Sequence, residues 1–85
     1  MIAVTARDVG ATMRDRRKKL GLTQAQVASM AGVTRQWLIG VEQGKRSAEL
    51  ELVLRCLHVL QLTVDLVSAV SGNAAIELDN ILGGN

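Results

Sequence analysis

The chain has 85 residues, enough for one small domain and close to the size at which a single core is marginal. Apolar residues make up 48% of it, yet Trp37 is the one aromatic, proline is absent and one cysteine cannot form an internal disulfide. These features predict an aliphatic helical core in a reducing compartment, with no membrane span and no secretion signal. The net charge of +2 hides an asymmetry: residues 1–46 carry nine Lys/Arg against three acids (+6), whereas residues 47–85 carry Arg55 against five acids (−4). A polyanion is the natural partner of such a basic half.

Residues 1–4 form a short apolar lead-in, a strand or an arm. Thr5 with Asp8 fits a capping box for a first helix over Ala6 to Leu20, in which Ala6, Val9, Met13, Arg17 and Leu20 share one face. Gly21 ends it. The cluster Arg16 to Lys19 suits a helix C-terminus, and within the charged run from Arg14 to Lys19 the solvated-face reading is preferred for Lys18 and Lys19, whereas Arg17 lies on the apolar side. Thr23 and Gln26 form a second capping box, and Val27, Ala28 and Ala31 face inward until Gly32 stops the helix. Val33 plugs the turn and Thr34 caps a third helix, which points Leu38 and Val41 inward and leaves Arg35, Gln36, Ile39 and Gln43 outside. Gly44 ends that helix, and Lys45, Arg46 and Ser47 continue the loop.

A fourth helix is predicted over Ala48 to Leu60, with Leu50, Val53, Leu54, Leu57 and Leu60 as its core stripe. Leu52, Cys56 and Val59 form a second stripe that a partner subunit would cover. The β-branched stretch Thr63 to Val70 reads as a strand, paired either with residues 1–4 or with its copy in a second chain. Ser71-Gly72-Asn73 breaks the chain. Residues 74–82 offer one or two helical turns with Ile76, Leu78, Ile81 and Leu82 for docking, and 83–85 read as loose. The organisation expected is thus a domain over 1–70 and a short tail over 71–85.

The stretch from Thr23 to Gly44 resembles the helix-turn-helix of the Cro/lambda-repressor-like (XRE) family of DNA-binding regulators. The resemblance is carried by Thr23-Gln24, Ala28, Gly32-Val33-Thr34, Leu38, Val41, Glu42 and Gly44. It extends over about residues 5–62. A four-helix domain followed by a strand is similar, on to about residue 70, to the HipB-like antitoxins, in which the strand pairs across a dimer. The fold class implied is mainly α, a four-helix lambda-repressor-like domain whose C-terminal strand pairs across a dimer.

That resemblance implies roles. Arg17 and Glu42 would pair as a clamp on the recognition helix, a match of planar fork to carboxylate. Arg35 and Gln36, with Ile39, would read base edges in the major groove: Arg suits guanine, Gln suits adenine, and an apolar side chain suits a thymine methyl. Gln24, Thr34, Trp37, Lys45 and Arg46 would meet the DNA backbone. Leu52, Cys56, Val59, Val64 and Leu66 would join two chains. Trp37 and Gly40 depart from the commoner pattern, and the large Trp37 ring has inward packing as its alternative to a backbone contact. The partners implied are double-stranded DNA with a palindromic operator, a second copy of the chain and a kinase-like toxin, in the cytoplasm at the nucleoid. Alternatives are a stand-alone repressor, or an adaptor that keeps the fold and binds protein.

Enzymatic chemistry finds no support in the sequence. Gly40 to Lys45 is one residue short of a phosphate-binding loop, Arg46 stands where Ser or Thr is needed, and no strand precedes it. His58 has no ligand-spaced companions and Cys56 reads as a small buried hydrophobe. No cofactor or metal is expected.

Overall fold

The structure, a computed structural model, describes residues 5–68. Four helices follow in order: α1 (Ala6–Lys19), α2 (Gln24–Ala31), α3 (Arg35–Glu42) and α4 (Leu50–Val59). Threonines begin the first three by satisfying backbone donors that a helix leaves unpaired. Thr5 Oγ1 accepts from the Asp8 N–H at 3.1 Å, and Thr34 Oγ1 from the Trp37 N–H at 3.0 Å. At α2 the box is complete: Thr23 Oγ1 accepts from the Gln26 N–H at 3.1 Å, and Gln26 Oε1 from the Thr23 N–H at 2.8 Å.

All four helices close with one device. The N–H of a left-handed residue bonds the carbonyl three back, and the next N–H bonds the carbonyl five back: Gly21 and Leu22 for α1, Gly32 and Val33 for α2, Gly44 and Lys45 for α3, Gln61 and Leu62 for α4. Gln61 is the exception in chemistry, a non-glycine at φ 59°. That conformation costs a side-chain-bearing residue about 1–2 kcal/mol. Arg16 of α1 opposes it, donating from Nε to the Leu60 carbonyl at 3.0 Å and from Nη2 to Gln61 Oε1 at 3.3 Å.

The core gathers Met13 of α1, Val27, Ala28 and Ala31 of α2, Leu38 and Val41 of α3, and Cys56 and Leu57 of α4 with Leu60 just beyond it. α3 packs against both α1 and α2, and α4 packs on α2. Backbone approaches backbone where α1 crosses α3: a β-carbon at Gly10 would overlap the Val41 carbonyl oxygen and lie 3.0 Å from that of Glu42. Glycine in mid-helix is costly in isolation, and here it permits the crossing.

The fourth helix corrects the sequence reading in two respects. It is shorter than Ala48 to Leu60 because Glu49 is still extended and Leu60 is already the cap. Its inward stripe also runs through Val53, Cys56, Leu57 and Leu60, so Cys56 is fully buried within its own chain and does not face a partner. Val59 is half-buried and packs on the core, whereas Leu52 is half-buried. Leu50 and Leu54, expected inside, are 70% and 43% exposed. α2 is the helix that packs on α4, and one neighbouring helix covers one face of it.

Residues 63–68 carry no regular secondary structure in the single chain, and among the described residues no strand forms. Val64, Leu66 and Val67 are exposed there, Leu66 at 92%. The expected strand's last two residues, the lead-in 1–4 and the tail 71–85 lie outside the described residues.

Candidate nucleic-acid interface

The α2–turn–α3 unit is fixed from within and open to solvent outside. Leu38 and Val41 anchor α3 in the core, Val33 packs against it from the turn, and Arg35, Gln36 and Gln43 are left exposed with Ile39 half-buried. An open groove of about 740 Å³ runs between the start of α2 and the outer face of α3, with Gln24, Arg35 and Ile39 on its walls. Three of the sequence-predicted residues are thereby brought together.

Beneath the groove lies a buried polar network. Arg17 donates from Nε to Glu42 Oε2 at 2.8 Å and from Nη2 to Glu42 Oε1 at 3.1 Å, and from Nη1 to the Leu22 carbonyl at 2.9 Å. The side chains are 9% and 3% exposed. Gln24 Nε2 adds a bond to Glu42 Oε1 at 3.2 Å. One carboxylate at the end of α3 thus holds α1 and the first residue of α2. Gln24 is oriented by Glu42, with one of its two amide protons engaged.

The other expected DNA-facing residues are not part of the groove's lining. Gln36, Thr34, Lys45 and Arg46 are exposed. Thr34 Oγ1 uses a lone pair on the Trp37 N–H, which leaves its hydroxyl proton for an outside acceptor. The Lys45 stem passes over Gly40, where a β-carbon would meet Lys45 Cδ at 3.7 Å. The Trp37 ring packs against the core, the inward one of its two expected placements, and is half-buried, so part of it stays open to solvent.

Sequence reasoning missed Arg14, an exposed α1 residue that lines the same groove. It carried no signal, since a charge on the outer face of a helix is the commonest of patterns. Among the described residues no group of His, Cys, Asp and Glu is placed to hold a metal ion. Cys56 is no nucleophile: burial first, and then the Glu42 charge, push its thiol up to about 11.

A short helix joined by a glycine turn to a second helix, whose polar face stands open beside a basic groove, defines the helix-turn-helix class. The family model for the helix-turn-helix domain matches residues 8–70. The chain belongs to that family, in its Cro/lambda-repressor-like (XRE) branch. It is 34% identical over 64 residues to the HTH-type transcriptional regulator y4mF of Sinorhizobium fredii, a match covering 75% of this chain and 84% of the relative. It is 46% identical over 48 residues to an HTH-type transcriptional regulator of Methanothermobacter thermautotrophicus, covering 56% and 70%.

Among solved structures, a HipB–O4 20mer complex superposes with a TM-score of 0.76 at 20% identity, covering 82% of this chain and 99% of that one. The restriction-modification controller protein C.AhdI of Aeromonas hydrophila gives 0.63 at 29%, covering 68% and 88%. The family is one of regulators, and the reading of the chain as a non-enzyme agrees with it. Among the described residues no helix is long and apolar enough to cross a membrane.

Proposed function

We propose that this protein is a sequence-specific DNA-binding repressor that acts as a dimer on a palindromic operator, in the cytoplasm at the nucleoid. The observation that carries the reading is α3 itself. Its outer face presents Arg35 and Gln36 to solvent while Glu42, Arg17 and Gln24 hold its far end rigid. An α-helix is about 10–12 Å across with its side chains, which fits the roughly 12 Å width of a major groove. Arg35, Gln36 and Ile39 are the base readers in this account, and Thr34, Gln24, Lys45 and Arg46 the backbone contacts. A single module reads few base pairs, so two copies related by a twofold axis are needed.

Within that function we favour an antitoxin that represses its own operon and binds a kinase-like toxin. Support comes from the fold shared with HipB in its 20mer complexes. The alternative is a regulator without a toxin, favoured by the likeness to a restriction-modification controller protein at higher identity. Co-expression with the neighbouring reading frame, followed by pull-down, separates the two. A co-purified product that slows growth alone and is neutralised by this chain supports the antitoxin. A dimer that binds the upstream DNA and retains no neighbour product returns the protein to the plain repressors.

Reading and holding separate by salt titration on operator and scrambled duplex. Arg35→Ala is expected to lose about 1–3 kcal/mol on the operator and much less on scrambled DNA. Lys45→Ala is expected to weaken both equally and flatten the salt dependence, since fewer counterions are released. Equal losses on both duplexes for Arg35→Ala would reduce it to a phosphate contact.

A further inference from the structure

The groove beside α3 has two cationic walls. Arg14 enters from α1, outside the helix-turn-helix, and Arg35 from the start of α3. Glu42 is the one carboxylate lining it, and its two oxygens are taken by the Arg17 fork and the Gln24 amide. Among the described residues, ion pairs join Arg17 to Glu42 and Arg55 to Glu51, so no carboxylate neutralises Arg14 or Arg35. Two like charges therefore share one open groove of about 740 Å³ with no internal counter-ion. An anion entering the groove meets cationic side chains with no carboxylate of their own. A phosphate suits best, because a guanidinium meets two of its oxygens with parallel N–H groups.

We infer that Arg14 is a phosphate-binding residue of this groove, extending the nucleic-acid interface from the helix-turn-helix on to α1, with the DNA backbone as the source of the phosphate. The inference rests on the repressor reading for that source, and not for the anion chemistry. With α3 seated in the major groove, the start of α2 faces one flanking strand. Arg14 lines the groove from α1 beside Thr23, Gln24 and Ala25 and is on hand for a phosphate of that strand. Unlike Arg35, it has no place at the base edges, so it contributes register and affinity and not sequence preference.

The test uses the full chain, its Arg14→Ala and Arg14→Lys variants, and Arg55→Ala as a control that removes one positive charge on α4. Each is titrated with a duplex from upstream of its own gene and a scrambled duplex over a range of salt, and separately with pyrophosphate followed by NMR. Arg14→Ala is expected to lose about fivefold per half-site on both duplexes at physiological salt, and to lower the slope of log K on log salt by about 0.9 per half-site. Arg14→Lys is expected to keep the slope, and Arg55→Ala to lose less than Arg14→Ala on both counts.

If the unmutated chain binds DNA while Arg14→Ala matches it in affinity and slope, the inference is overturned and the repressor reading stands. If no duplex is bound but pyrophosphate shifts the groove residues in an Arg14-dependent way, the DNA source falls and the anion site stands, fed by a free phosphate compound. Absence of both overturns both. Thermal melts of each variant verify folding, and the charge-conserving Arg14→Lys distinguishes lost charge from lost structure.

Discussion

Glu42 shows how one side chain serves both stability and function. Its carboxylate accepts from Arg17 and Gln24 in a nearly dry setting, so removing it leaves a buried guanidinium with the Leu22 carbonyl as its remaining partner. Glu42→Ala is expected to cost about 3–5 kcal/mol in urea unfolding, whereas replacing the pair with apolar side chains, Arg17→Met with Glu42→Leu, costs far less. A single variant no worse than the double one would mean that the pair carries little of the fold. Cys56 gives a second measurement. Its thiol titrates at about 11 in the folded chain against an ordinary 9.0, so the unfolded chain loses its proton first. The stabilisation is complete below pH 9 and is lost as pH rises towards about 11, by about 2–3 kcal/mol. Denaturation followed across that window should show a steeper loss for the native chain than for Cys56→Ala. Parallel losses would assign the titration to another group.

At the scale of the helices, two mid-helix glycines have opposite reasons. Gly10 is where α1 crosses α3 with no room for a β-carbon, while at Gly40 a β-carbon meets the flexible Lys45 stem alone at an ordinary distance. Gly40→Ala is therefore expected to stabilise the domain by about 1 kcal/mol, through the higher helix propensity of alanine. Gly10→Ala is expected to destabilise it by about 3 kcal/mol, because backbone must shift. Thermal unfolding of the pair checks both signs together; a common sign would mean that the helix crossing is not the determinant. Gly40→Ala also probes recognition, since a loss of operator affinity in a more stable protein would place DNA against that position.

For the whole molecule, the question is what covers the apolar side chains that one chain leaves in water. Val64, Leu66 and Val67 are exposed in a segment with no partner strand of its own among the described residues, and Leu52 and Val59 are only half-buried on α4. Pairing of that segment with its copy would satisfy backbone and side chains at once. Val64→Lys with Leu66→Lys is expected to turn a dimer into a monomer in analytical ultracentrifugation and to weaken operator binding in parallel. An unmutated chain that sediments as a folded monomer at micromolar concentration would refute the dimer.

Much of this molecule is legible along the chain because its signals are local. Threonine caps, glycine stops and a 3.6-residue apolar period set α1, α2 and α3 almost to the residue, and the Thr23–Gly44 pattern identified the family. The Arg17–Glu42 pairing was accessible through the family resemblance. What tertiary packing alone decided were choices among equivalent residues. Which of seven apolar side chains on α4 face inward depends on where α2 lies, so Cys56 went in and Leu50 and Leu54 stayed out. Whether a glycine is a weakness or a requirement depends on a neighbouring backbone, as at Gly10. Whether a surface arginine is solvated or part of a site depends on the wall opposite it, and Arg14 acquires its meaning from Arg35 across the groove. Local free energies are written in neighbouring residues; the direction a side chain faces is set by helices that approach from elsewhere in the chain.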